Sequence, residues 1–198
     1  MNKKPLFIVM EGLDGSGDST QAGLLEKYFE DRKRKVLLTK EPYIESKSGK
    51  KIRKVLEKKI KMGLKDLQDL FMENRKEHLK KLIIPSLKKG IIVICDRYYF
   101  STFAFGAASG VDLEYLIDKN KKFLHPDTTF ILDVDPRIAI RRIEKRGKAK
   151  ELFEKAEKLT KVRNFYKTFS KRFKNVYTIN GEKSINEVFK QIKRRLVK

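Results

Sequence analysis

The stretch Gly12-Leu-Asp-Gly-Ser-Gly-Asp-Ser-Thr20 constrains this chain more than any other. It matches the phosphate-loop pattern G-x-x-x-x-G-K-[ST], in which backbone N–H groups converge on phosphate oxygens, a lysine reaches the outer phosphates and a hydroxyl meets Mg²⁺. Every position fits except one, because Asp18 occupies the lysine slot. An anion stands where the chemistry uses a cation, so nucleotide binding and phosphoryl transfer become separate questions. The flanks supply the required context. Leu6–Met10 is an apolar run of strand length, and Ala22, Leu24, Leu25, Tyr28 and Phe29 recur at helical spacing between Ser19 and Arg32. A helix N-terminus favours anions, so Asp18 suits the helix as a first-turn acid while opposing a phosphate. A glycine-rich turn that binds nothing is the plainer alternative, and the strand-loop-helix order disfavours it.

Strand-length apolar runs recur at Leu6–Met10, Val36–Thr39, Ile91–Cys95, Thr129–Val134 and Val176–Ile179, with helical patterns between them. Such alternation predicts parallel strands joined by right-handed helical crossovers. Lys65 to Lys89 reads as one long helix, bent or shortened at Pro85, with Leu67, Leu70, Phe71, Leu79 and Leu82 inward. Pro136 opens another helix after Asp135, and Lys150–Arg172 and Ile185–Leu196 supply two more. The expected architecture is a three-layer α/β domain of the P-loop NTPase type, a five-stranded parallel sheet flanked by helices. It spans 1–198 as a single domain with a short basic lid at about 141–151, and its ligands belong at the carboxyl ends of the strands.

With 40% apolar content, 198 residues suffice for a sizeable core. No apolar run approaches a membrane span, and Met1-Asn-Lys-Lys-Pro leads into a strand instead of a signal segment. The expectation is a soluble, cytoplasmic protein with no membrane partner. Cys95 is the single cysteine, which excludes an internal disulfide and suits a small buried hydrophobe. His78 and His125 lack metal-ligand spacing and are expected on a helix surface and in a turn. The net charge of +22 favours non-specific nucleic-acid binding at low salt. Lysines interleaved with glutamates fit a solvated surface, of the kind enriched in proteins from hot environments, better than a dedicated nucleic-acid face.

Four further segments fall where a site at the strand ends requires them: Thr39-Lys-Glu-Pro42, Leu70-Phe-Met-Glu-Asn-Arg75, Asp96-Arg-Tyr98 and Arg141-Arg-Ile-Glu-Lys-Arg146. Asp96 can serve the metal shell alongside Ser19, and Arg97 can grip an acceptor phosphate bidentately. The plainer alternative is an ion pair that braces the loop. Phe71 and Arg75 share one helix face, so ring and guanidinium can reach one ligand, although periodicity alone would make Phe71 ordinary core. Arg141, Arg142, Lys145 and Arg146 crowd a helix end before Gly147, where arginines of a lid can neutralise charge on a transferring phosphoryl group.

Together with Glu11-Gly-Leu-Asp-Gly-Ser-Gly and Val162-Arg-Asn-Phe-Tyr166, these segments in this order resemble the thymidylate kinases, which phosphorylate dTMP with ATP. The resemblance runs nearly end to end. It implies ATP as donor, dTMP as acceptor, Mg²⁺ as cofactor and a homodimer. It further implies that the loop residues Gly12, Leu13, Asp14, Gly15, Ser16, Gly17, Asp18, Ser19 and Thr20 cradle the donor phosphates, with Ser19 and Asp96 at the metal. On the acceptor side it assigns Asp14 to the deoxyribose 3′-hydroxyl and Glu41 and Pro42 to the acceptor loop. Phe71 would stack on thymine, Arg75 would bond its carbonyl edge, Arg97 would hold the dTMP phosphate, and Tyr98 and Phe105 would lie beside the acceptor. A loop without arginine resembles the family design that places its catalytic arginine in the lid, here Arg142 or Arg146.

Three departures stand out. Tyr43-Ile44 replaces a common Gly-Gly pair, Phe105-Gly106 replaces Tyr-Gln, and Asp18 replaces lysine. The first bears on how the acceptor loop meets dTMP, and the second leaves open a kinase for another nucleoside monophosphate or a deoxynucleoside. The third leads to an expectation of severely impaired transfer with nucleotide binding retained, and keeps open a non-catalytic nucleotide-binding relative or a neighbouring lysine, such as Lys40 or Lys145, that replaces the missing cation.

Overall fold

The structure, a computed structural model, describes residues 4–145 and 152–196. Its sheet has the order β2-β3-β1-β4-β5, formed by β1 (Phe7–Gly12), β2 (Val36–Lys40), β3 (Ile92–Asp96), β4 (Thr128–Asp133) and β5 (Val176–Asn180). All four pairings are parallel, with Met10 of the central strand opposite Asp96 on one side and Phe130 on the other. Parallel strands covered on both faces must be apolar throughout, and β1 and β3 are buried at every residue. Alternate residues feed separate cores. Phe7 and Val9 pack with α5 (Tyr99–Ala108) and α8 (Leu152–Arg172), while Ile8 and Met10 pack with α1 (Asp18–Glu30) and α9 (Ile185–Leu196).

The expected long helix at 65–89 is divided. α3 (Leu64–His78) passes through a π-helical turn (Leu79–Ile83) into the short α4 (Ile84–Lys88). Pro85 has no N–H to give the preceding turn, so the hydrogen-bond register widens upstream of it and the chain continues helically. Three helices that no single pattern had marked are also present: α2 (Lys47–Leu56), α5 and α6 (Leu113–Asn120). α7 (Pro136–Glu144) starts where Asp135 caps it, its carboxylate accepting from Arg137 N at 2.9 Å. Of the expected lid, Arg141 to Lys145 belong to the last turn and end of α7, and 146–151 lie outside the described residues.

The surface role expected for His78 is corrected. The ring is fully buried, with Nε2 2.8 Å from Thr39 Oγ1 and its plane stacked on Tyr43 at 4.9 Å. Its position on α3 faces β2, and Thr39 is a partner too distant in sequence for spacing to reveal. His125 also has a partner, the Tyr99 hydroxyl at 3.2 Å.

Candidate active site

The carboxyl ends of β1, β2 and β3 bring the site together. After β1 the loop turns through Gly15 and Gly17, both left-handed at φ 86° and 101°. Gly15 also passes close to α7, where an added Cβ would lie 2.4 Å from the Ala139 carbonyl oxygen. Asp18 then opens α1, and its carboxylate accepts from Ser19 N at 3.1 Å. That carboxylate is buried, with Oδ2 3.1 Å from Arg97 Nη2. Burial raises the Asp18 pKa and the Asp96 charge adds to the rise, while Arg97 opposes it.

Arg97 follows β3 in a left-handed conformation, φ 74°, which costs a non-glycine residue about 1–2 kcal/mol. Its side chain crosses to the phosphate loop, where Nη1 donates to Gly12 O at 2.8 Å and Nη2 to Asp14 Oδ1 at 3.0 Å. Burial disfavours the charged form of the guanidinium. The Asp18 and Asp14 carboxylates more than offset this and hold it charged.

Asp96 is the second junction. Its Oδ2 accepts from Ser19 Oγ at 2.5 Å and from Lys40 Nζ at 2.8 Å, because Lys40 and Asp96 are opposite one another across β2 and β3. Its other oxygen, Oδ1, is buried with no hydrogen-bond partner. An unpartnered carboxylate oxygen beside a hydroxyl is a hard-oxygen pair that fits Mg²⁺. Among the described residues no cluster of three His, Cys, Asp or Glu side chains could hold a metal alone. An ion here would draw its remaining ligands from phosphate and water.

Glu11 at the end of β1 organises the wall behind Arg97. It accepts from Tyr98 N (2.8 Å), Ser101 Oγ (2.5 Å) and Tyr166 OH (2.9 Å). Burial pushes its pKa up to about 7, against the lowering effect of these donors and of Arg97.

Two cavities flank the loop. One, of about 380 Å³, is lined by Asp14, Lys40, Phe71, Arg97 and Phe105 among others. The second, of about 360 Å³, lies against Gly15, Gly17, Thr20, Arg142 and Lys183. A phosphate loop between two ligand-sized cavities is the layout of a group-transfer site, and comparison with known sequences specifies which. A profile of the thymidylate kinase family matches residues 10–192.

The chain belongs to the thymidylate kinase family.

A probable thymidylate kinase of Pyrococcus horikoshii is 41% identical over 191 residues, covering 94% of this chain and 93% of the relative. The thymidylate kinase of Caldicellulosiruptor saccharolyticus is 38% identical over 198 residues, covering 96% and 95%. That of Leptospira interrogans serovar copenhageni is 36% identical over 193 residues, covering 96% and 93%.

Within this thymidylate kinase chain, Phe71 and Phe105 are half-buried and face the larger cavity, and Pro42 lines it with them. Arg75 lines the same cavity but is 1% exposed. Its Nε and Nη2 donate to Glu41 Oε2 at 3.0 and 2.7 Å, Nη1 to Asn120 Oδ1 at 2.5 Å and Nη2 to Thr102 Oγ1 at 2.9 Å. Glu41 is therefore a buried counter-ion of Arg75, and the Tyr98 hydroxyl is bonded to Leu124 O at 3.1 Å. Arg142 lies on the other side of the loop, where Nη1 donates to Ser16 O at 3.2 Å and Gly181 O at 3.0 Å. Arg146 lies outside the described residues. Sequence reasoning offered Lys40 as a substitute cation without its Asp96 partner, and it gave Glu11 no role. Their signal is position, since Lys40 ends β2 and Glu11 is the last residue but one of β1, at the carboxyl ends that face the loop.

Proposed function

We propose that this protein transfers the γ-phosphoryl group of ATP to dTMP, giving dTDP, with Mg²⁺. The observation that carries the reading is Arg97, whose guanidinium lines the larger cavity while bonded to the phosphate loop. An acceptor phosphate held there faces the donor phosphates across one side chain, and in-line transfer needs positioning and charge neutralisation without a covalent intermediate. The donor occupies the smaller cavity, with Gly12 to Thr20 around its phosphates and Arg142 beside its base. The acceptor occupies the larger one, with Phe71 against its base, Asp14 at the 3′-hydroxyl, and Glu41, Pro42, Tyr98 and Phe105 as walls.

Ser19 and Asp96 hold Mg²⁺, which supplies positive charge to the phosphate oxygens. Arg146, which lies outside the described residues, is the remaining cation for the transferring group. Asp18 slows the transfer and leaves nucleotide binding in place. Lys40, an ammonium bonded to Asp96, carries part of the charge that the loop lacks.

A coupled assay with dTMP, dUMP, CMP and AMP tests the reading. We expect turnover with dTMP to exceed that with either CMP or AMP, and to rise in Asp18→Lys. Equal use of AMP overturns the acceptor. Nucleotide binding without transfer in both proteins favours the second reading, a non-catalytic relative, for which Asp18 is the supporting observation. No described helix is long and apolar enough to cross a membrane, and a cytoplasmic homodimer completes the proposal. Light scattering should give twice 23.3 kDa, and a monomer mass overturns the dimer.

A further inference from the structure

Gln68 is a buried polar residue that neither the family motifs nor the reading above employs. It lies on α3 three residues before Phe71 and seven before Arg75, so the three share one helix face. The residue is 5% exposed and lines the larger cavity. Its amide makes no hydrogen bond to a described residue and is not among the fully enclosed unpartnered atoms, so its polar atoms stay accessible from the cavity. An amide that faces a ligand-sized cavity with its donor and acceptor uncommitted is free to bond what fills it. Across the cavity wall stands Gly106 of α5. A Cβ added there would lie 2.8 Å from Leu116 Cδ1 and 3.2 Å from both Cδ and Oε1 of Gln68. The missing side chain at 106 thus leaves the space beside which the Gln68 amide sits.

Arg75 cannot read a pyrimidine edge alone. Four of its five N–H groups are engaged by Glu41, Asn120 and Thr102, and a guanidinium has no acceptor to offer a base N–H. Thymine presents an N3–H donor flanked by the O2 and O4 acceptors. Cytosine presents an N3 acceptor beside an amino donor. A glutamine amide carries one acceptor and one donor side by side in a plane, which matches N3–H and O4 of thymine with two hydrogen bonds.

We propose that Gln68 is a specificity-determining residue, its Oε1 accepting from N3–H and its Nε2 donating to O4 of the acceptor base, while the remaining Arg75 N–H disfavours the amino group of cytosine. This rests on the acceptor reading given above. Gln68 supplies from α3 the amide that position 106 lacks. The amide could turn over to meet cytosine, so Arg75, a donor in every orientation, sets the polarity of the edge.

The test uses Gln68→Glu and Gln68→Leu in the full chain, with equilibrium titration of dTMP and dCMP and kcat/KM for both. Losing a bidentate base contact should weaken dTMP by about ten- to a hundredfold in Gln68→Leu. Gln68→Glu keeps the shape and removes the donor, so the dTMP to dCMP ratio should fall further towards dCMP, with ATP affinity unchanged in both variants. If Gln68→Leu does not fold, the shift in Gln68→Glu decides. An unaltered ratio in Gln68→Glu overturns the inference. A chain that binds dTMP without phosphorylating it sinks the kinase reading alone, since the titration still reports on Gln68. Absence of binding by either nucleotide overturns both.

Discussion

At position 18 a carboxylate replaces an ammonium, and the structure shows where its charge goes. The neighbouring Arg97 is drawn to it at 3.1 Å, and Lys40 lies close enough to oppose the rise in its pKa. Each unit of charge beside a phosphate charge is worth roughly 4 kcal/mol at about 4 Å and an effective dielectric near 20, and the substitution changes the charge by two units. We therefore predict that Asp18→Lys raises kcat about a thousandfold, or ~4 kcal/mol of barrier. If Lys40 carries part of the missing charge, Lys40→Met should cost more turnover in the unsubstituted chain than in Asp18→Lys. Steady-state kinetics of the four proteins checks this, and strictly additive losses would show that Lys40 serves the acceptor only. The loop, Asp96 and Arg97 were legible as motifs because their spacing is local. Lys40 was legible only as one of two neighbouring lysines able to replace the missing cation, since its partner is an oxygen 56 positions away and the chain holds 48 Lys and Arg residues.

Between elements, one buried amide fastens the acceptor loop. Asn74 of α3 accepts from Tyr43 N at 2.7 Å and donates to Tyr43 O, Ser46 Oγ and Ser48 Oγ at 3.0, 2.7 and 3.2 Å. This cluster docks the segment that holds Glu41 and Pro42 and the start of α2. Asn74→Ala leaves several of these groups unpaired, so we expect a stability loss of about 2–3 kcal/mol in urea unfolding and a larger rise in KM for dTMP than for ATP relative to the unsubstituted chain. Equal rises in both KM values would count against loop-specific docking.

Glu11 makes a pH prediction at the same scale. Its folded pKa of about 7 lies above its ordinary value of 4.5, so the folded state binds more protons between those limits. Stability contributed by the protonated form is complete below about pH 4.5 and falls as pH rises towards 7, by roughly 3 kcal/mol in all. Glu11→Gln cannot ionise and should flatten this part of the urea-unfolding profile. Parallel profiles for the two proteins between pH 4.5 and 8 would refute the assignment. The strands that place Glu11 were legible because buried parallel strands are apolar on both faces. α2 was not, because its buried face holds Ser48, Gly49 and Ile52 among lysines, nor was α5, which is apolar nearly all round and carries no stripe.

At the scale of the whole molecule, the charge of +22 is unevenly balanced by carboxylates. A groove of about 1390 Å³ lies at the amino ends of the strands, opposite the phosphate loop, and is lined by Lys4, Arg32, Lys33, Lys35, Lys88 and Lys89. The one ion pair seen at its rim among the described residues joins Lys4 to Asp127 at 3.6 Å. Some cations elsewhere have close carboxylates, as Arg53 and Lys59 have in Glu57 and Arg172 has in Glu114, while the groove gathers its cations around one concave surface. Phosphate chains should accumulate where cations are least neutralised, releasing counterions as they do so. We predict weak, sequence-independent binding of an oligothymidylate at about 50 mM salt, read by fluorescence anisotropy and not displaced by ATP, whose phosphate loop lies at the other end of the sheet. For single strands log K falls with log salt at about 0.7 per phosphate contact. Replacing Lys33, Lys35, Lys88 and Lys89 with glutamine should flatten the slope by about 3, if each contacts a phosphate. The same change at Lys50, Lys51, Lys54 and Lys65 should flatten it by less than about 1. Equal flattening in the two variants would mean that the charge acts as a diffuse field, and displacement by ATP would move the binding to the active site.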